Sequence, residues 1–206
     1  HEDAGAALHA MNVSLCWSAG NSAENWWSWD LPSVMVIGAS DAYDDRASFS
    51  CFGRGVTVFA PGVSILSSTR DGGYNFASGT SMATPVANGA LALVRTANPA
   101  LAAVHAEHIL FHSCDFWGVA DNETYGWGRV NLRRAVEYAI AAGSQQAPVA
   151  RDDRAVTITE ASVELDVLAN DFDANMDALE IQSFTPTTST GAAVTLIEGG
   201  AGARDR

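Results

Sequence analysis

The chain has 206 residues, 48% of them apolar, and a formal charge of −13, with arginine supplying all 11 of its basic residues. That length suits one full domain and part of another, and a strongly acidic chain without clustered cations argues against nucleic acid as a partner. No run approaches the ~20 apolar residues of a membrane-crossing helix, and the start lacks the basic-then-apolar pattern of a secretory signal.

In chain order, Met11 to Trp17 is an apolar, strand-like run, and Ser18-Ala19-Gly20-Asn21 follows it as a turn rich in residues that tolerate positive φ. Trp26, Trp27 and Trp29 stand in a polar loop, where aromatic residues serve equally to contact a ligand or to cover a bare core edge. Val34 to Ser40 and Val56 to Ala60 read as buried strands. Gly79-Thr80-Ser81-Met82-Ala83-Thr84-Pro85 then places a serine between a glycine turn and an apolar helix running from Met82 to Asn98. A serine there is either an N-cap or a nucleophile bathed in unpaired N–H groups and the positive end of the helix dipole. Pro85 is expected in the first turn, where a missing N–H costs little. Gly89 interrupts the helix at about 1 kcal/mol relative to alanine, which implies close packing against a strand.

Helical character continues through Leu101 to Phe111, and His105, His108 and His112 share helical spacing. Zinc is one reading of that trio and an ordinary helix face the other, since no carboxylate or cysteine pattern accompanies it. Cys16, Cys51 and Cys114 leave at least one thiol unpaired, with three choices for any single disulfide. Beyond Ala141 a small, polar, proline-terminated stretch reads as a linker. The acidic remainder carries short alternating runs, Ala155 to Thr159, Ser162 to Leu168 and Leu179 to Phe184, that read as half-buried strands.

Gly79 to Pro85, followed by Gly89, resembles the nucleophile segment of subtilisin-like serine proteases. Ser18 to Asn21, Pro32 to Ala39, Arg46 to Ser50, Ala60 to Val63 and Tyr125 to Asn131 resemble further segments of that family in the same order. The resemblance implies a mainly parallel α/β sheet with helices on both faces, truncated at its N-terminus. It implies Ser81 as nucleophile and Asn21 as oxyanion donor together with the Ser81 N–H, with Ser18, Ala19, Gly20, Gly79 and Thr80 binding a polypeptide substrate. A pocket wall of such small residues suits a bulky apolar or aromatic side chain. The family's Asp-Thr-Gly and His-Gly-Thr segments have no counterpart: ahead of Asn21 the candidates are His1, Glu2, Asp3 and His9, none in a matching motif. The expectation is therefore a chain whose catalytic histidine and aspartate lie upstream, inactive by itself. Val86 and Asn88 depart from the family's usual histidine and small residue.

Ala147 to Asp153 and Val167 to Asp173 resemble bacterial cadherin-like or Ig-like repeats, which implies a partial all-β sandwich. Asp171, Asp173, Asn175 and Asp177 offer side-chain oxygens at alternate positions, a spacing that suits calcium as a structural ion or a metal-free turn. No cofactor is expected for catalysis. The domains expected are residues 1–142 (peptidase), 143–148 (linker) and 149–206 (β domain). Two functional readings follow. One is a secreted or cell-surface bacterial endopeptidase tethered to a surface or matrix through its β domain. The other is a non-catalytic adhesion or scaffold protein with a degenerate protease-like domain.

Overall fold

The computed structural model describes residues 2–26, 31–115, 122–143, 148–150, 162–168, 171–175, 177–188 and 193–195. Trp27, Trp29, His1 and the run Ala155 to Thr159 lie outside them.

Strand β2 (Met35–Ser40) is buried along its whole length, as a near-continuous apolar run demands. β1 (Cys16–Ser18) and β3 (Val58–Pro61) pair with it in parallel, Cys16 opposite Met35 and Ile37 opposite Val58, giving the order β1-β2-β3. Alternation along the strands divides the core. Met35, Ile37, Ala39, Val58 and Ala60 join the main cluster, while Val34, Val36 and Phe59 join a smaller one with Ala19, Cys51 and Val56.

Helix α2 (Thr80–Ala97) covers the first face, burying Ala83, Ala87, Ala90, Leu91 and Val94 against all three strands. Helices α3 (Ala103–Ser113) and α5 (Leu132–Ala141) pack on α2 and on each other. Leu15, Trp26, Leu31, Phe52 and Tyr125 cover the smaller cluster, Tyr125 from the one-turn helix α4 (Asn122–Tyr125). Gly38 is required here, because a Cβ on it would fall directly on the Phe59 ring. Trp26 thus serves as core cover.

Four expectations are corrected. The strand expected from Met11 shrinks to Cys16–Ser18, because the turn that closes helix α1 (Glu2–Ala10) takes Met11 to Val13. Its end is closed by N–H bonds from Met11 to Leu8 and from Asn12 to His9, with Asn12 at φ 61°. α2 starts at Thr80 rather than Met82, which puts Pro85 beyond the first turn and removes the donor that would close on the Ser81 carbonyl. Gly89 has no packing role among the described residues: it is exposed and a Cβ there would meet none of them within 4 Å, the contacts being made instead by Ala87 and Ala90. Ser162 to Leu168 and Leu179 to Phe184 form no strand, with Val163, Leu165 and Phe184 all exposed. Alternating runs become strands only where a ladder and a covering layer exist. Among the described residues of this part the pairing is limited to single bridges, Val149 with Phe172 and Thr187 with Ala193. An antiparallel hairpin, β4 (Ile65–Ser68) and β5 (Tyr74–Ala77), adds an element the alternation did not announce.

Candidate active site

Two backbone bonds carry the end of β2 to the start of α2. Gly62 N–H donates to the Ser40 carbonyl at 2.9 Å, and Gly79 N–H donates to the Gly62 carbonyl at 2.8 Å. Gly62 permits this approach, since a Cβ would lie 2.7 Å from that of Ala39 and 2.9 Å from the Gly79 oxygen. Gly79 is the N-cap of α2 at φ 156° and ψ 161°, a region essentially closed to other residues. Its extended backbone swings the chain from β5 into the helix, so that Thr80 is buried and Ser81 is exposed.

The free N–H groups of the helix start can be counted. Thr80 N–H donates to Asn21 Oδ1 at 2.9 Å, and Met82 and Ala83 N–H both reach the Gly79 carbonyl, at 3.0 and 3.3 Å. Ser81 N–H has no acceptor among the described residues, and neither does the Ser81 hydroxyl have a partner. The expected set of four unpaired donors is therefore reduced to one, and it belongs to the serine. The N-cap reading of Ser81 is also corrected: the cap is Gly79, without a side-chain bond.

Asn21 is held by the residue before the serine. Its Oδ1 accepts both the Thr80 N–H and, at 3.0 Å, the Thr80 hydroxyl, which in turn accepts Gly20 N–H at 3.1 Å. With the oxygen doubly engaged, the NH2 end of the carboxamide is the end without an acceptor among the described residues. That amide lies against Gly79, whose hypothetical Cβ would sit 3.4 Å from Asn21 Nδ2. Thr80 is thus a clamp, 1% exposed, that joins Gly20, Asn21 and the helix start. The resemblance groups Thr80 with substrate binding, whereas its side chain bridges Gly20 and Asn21, some 60 residues away in the chain.

The other expected residues sit as follows. Ser18 ends β1, half-buried, while Ala19 is 1% exposed in the smaller core and donates its N–H to Ile37. Gly20, at φ 101°, leaves room for Cys51 and Trp26, since a Cβ would approach the Cys51 sulfur to 3.3 Å. Burial pushes the Cys51 thiol up, but hydrogen bonds from Ser22, from backbone N–H groups and from Trp26 outweigh it and hold the pKa below the ordinary value. All three cysteines are free thiols.

No hydrogen bond joins Ser81 to an acid or a histidine among the described residues. His9 Nε2 meets both carboxylate oxygens of the buried Glu107 at 3.0 and 3.1 Å, and Glu2 accepts the Ser33 N–H. Of the histidine trio, His105 is exposed, and His112 stacks on Phe172 at a ring separation of 4.7 Å and lies tilted against Trp127 at 4.6 Å. Asp173 Oδ1 accepts the N–H groups of Asn175 and Asp177 as a turn-forming side chain. Among the described residues no three His, Cys, Asp or Glu side chains form a group that could hold a metal.

The geometry defines a class: a parallel α/β protein that presents an exposed serine, with its N–H unspent, on the first turn of a helix packed across the sheet. Residues 2–128 match the subtilase family, peptidase S8, and residues 145–202 match the bacterial Ig domain. The chain belongs to the subtilases, a family of serine peptidases. It is 35% identical over 128 residues to subtilisin Savinase of Lederbergia lenta, covering 61% of this chain and 47% of that protein. It is 34% identical over 128 residues to the M-protease of Shouchella clausii, covering 61% and 33%. The cell wall-associated protease of Bacillus subtilis is 34% identical over 154 residues, covering 62% and 17%. The chain thus spans less than half the length of these relatives. Among solved structures, the prenylagaramide maturation protease PagA superposes with a TM-score of 0.57 at 26% identity, over 66% of this chain and 54% of that one. The second match bears out the Ig-like repeat that the sequence resembles. No helix among the described residues is long and apolar enough to cross a membrane.

Proposed function

We propose that the chain carries the nucleophile half of a serine endopeptidase. The observation that supports this most directly is the bonding around α2, which spends every neighbouring donor except the Ser81 N–H and the Asn21 amide. In this reading Ser81 Oγ attacks a peptide carbonyl and gives up its proton to a general base. The oxygen of the tetrahedral intermediate is held by the Ser81 N–H and Asn21 Nδ2, and collapse expels the amine and leaves an acyl-enzyme that water hydrolyses. A serine hydroxyl needs a base to react at neutral pH. His9 is engaged with Glu107, and in this reading the base and the carboxylate that orients it are supplied by a longer chain. Ser18, Ala19, Gly20 and Gly79 border the substrate, Ala19 through its backbone because its side chain is buried, and the buried Thr80 acts from behind them by holding Asn21. A bulky apolar or aromatic side chain suits that border. Calcium at Asp171, Asp173 and Asp177 remains a structural proposal, to be tested by calcium-dependent thermal stability. The location proposed is outside the cell or on its surface, in line with the cell-wall association named for the Bacillus subtilis relative.

The test is labelling with a fluorophosphonate. A longer product of the same gene that supplies both missing groups should label, and its Ser81→Ala variant should not. Equal labelling of that variant would remove Ser81 from the mechanism, and no labelling of the parent would favour the scaffold reading. The 206-residue chain alone should leave casein uncut. Cleavage at an ordinary rate would show that the base lies within it.

A further inference from the structure

The segment Asp171–Asn175 belongs to the stretch that matches the Ig domain, yet its apolar side chains are buried in the core of the protease part. Phe172 is 3% and Ala174 7% exposed, both within the main cluster built from β2, α2, α3 and α5. The Phe172 ring stacks on His112 of α3 at 4.7 Å and on Tyr138 of α5 at 5.1 Å, and His112 lies against Trp127. Asn175 Nδ2 reaches the carbonyl of Ala142, which caps the end of α5, at 3.5 Å. The backbone is clipped as well. Val149 N–H donates to the Phe172 carbonyl at 2.7 Å and Phe172 N–H returns to Val149 at 3.1 Å, so the start of the Ig-like stretch is paired with the very residue that is buried. The Asp173 carboxylate, 6% exposed, does not oppose this burial, because it is turned back onto the N–H groups of Asn175 and Asp177.

We infer that Asp171–Asn175 is an intramolecular clasp: the α3–α5 groove of the subtilase domain is the docking site for this Ig-like loop, and the two domains are joined rigidly at Phe172. A residue as large as phenylalanine, nine-tenths buried between two helices, contributes on the scale of a core residue and not of a rim contact. The loop is therefore held on two sides, by α5 at Phe172 and Asn175 and by the Val149 pairing. A tether acting through this domain sets the orientation of the protease as well as its distance from an anchor, which a free linker does not do.

Hydrogen exchange on the whole chain tests the clasp without altering it: the Val149 and Phe172 amides should be protected to the same degree as those of α5. Exchange at both at the rate of an open peptide would overturn the inference. Limited digestion with proteinase K then reads the joint. Phe172→Ala and Tyr138→Ala should each raise cleavage between residues 143 and 150 by roughly a hundredfold. Phe184→Ala, at an exposed position of the same domain, should leave it unchanged. A Phe172→Ala protein cut no faster than the wild type, or a Phe184→Ala protein cut equally fast, would show that the groove holds nothing.

Discussion

Thr80→Val isolates the clamp behind the candidate oxyanion site. The change keeps the shape of the side chain and removes one oxygen, which accepts Gly20 N–H at 3.1 Å and donates to Asn21 Oδ1 at 3.0 Å. Thr80 is 1% exposed, so water does not replace what is lost. Two bonds at a net of about 1 kcal/mol each give a destabilisation of about 2 kcal/mol. No cavity forms, and the new methyl recovers little because polar groups surround it. For a chain of this size that lowers Tm by about 4–8 °C. Thr80→Ser keeps both bonds and gives up one buried methyl group, about 0.8 kcal/mol, so it should be the milder change. Urea unfolding followed by circular dichroism measures both, with unchanged m-values certifying that only stability has moved. Asn21→Ala should cost about 1 kcal/mol, being exposed, and should couple to Thr80→Val because both delete the same bond. A valine variant within about 0.5 kcal/mol of wild type, one milder than the serine variant, or strict additivity with Asn21→Ala would refute the clamp.

Gly89→Ala should stabilise the chain by about 1 kcal/mol and raise Tm by about 2–4 °C in a thermal melt, since the position is helical and open. A fall in Tm would mean that something does pack there. Burial raises the Asp115 pKa, but hydrogen bonds from Arg129 and Asn131 and the charges of Arg134 and Arg129 outweigh it, so the net shift is downward. A depressed folded pKa makes the contribution complete above the unfolded value, about 3.9, and lost as pH falls through the folded one. The urea-midpoint gap between wild type and Asp115→Asn should accordingly be full at neutral pH and close in acid. A gap that widened in acid would reverse the assignment. Burial, and then the Glu107 charge, push the Cys16 thiol up to about 12. Iodoacetamide at about pH 8 should modify it roughly a thousandfold more slowly in the native chain than in urea, as read by peptide mass spectrometry, and equal rates would contradict that environment.

What could be read in advance was whatever rests on local pattern. β2 and β3 were visible because a buried parallel strand is apolar on both faces, and α2 because alanine and leucine sustain it up to Asn98. Ser81 and Asn21 were found through short segments that keep their order. What escaped was set by long-range partners. Met11 to Val13 adjoin the strand, but the closing turn of α1 claims them first, and only from Leu15 on does the chain bond to β2. The role of Thr80 depends on Gly20 and Asn21, some 60 residues away, and no spacing encodes that meeting. Phe172 was placed in a β domain by the resemblance of Val167 to Asp173 to a bacterial repeat, whereas its burial is provided by His112 and Tyr138 of the protease part.

The same dependence on distant partners explains why a helix start becomes a directed site here. An N-terminus with four open donors is a diffuse positive region that water and any nearby side chain can satisfy. In this chain Asn21 takes the Thr80 donor and the Gly79 carbonyl takes those of Met82 and Ala83, and the donors left over are single and fixed. Fixed donors need no reorganisation when charge appears beside them, and reorganisation is the larger part of what water has to supply for the same reaction. The Asn21 amide gains this property from Thr80, since an exposed carboxamide with a free oxygen would turn over and present either end. Thr80→Val should therefore lower kcat in an active parent while leaving KM nearly unchanged, because an Asn21 carboxamide held by the Thr80 N–H alone is less firmly fixed, which weakens the hold on the intermediate and not on the bound peptide. An equal loss carried entirely by KM would place Thr80 in substrate binding and not behind Asn21.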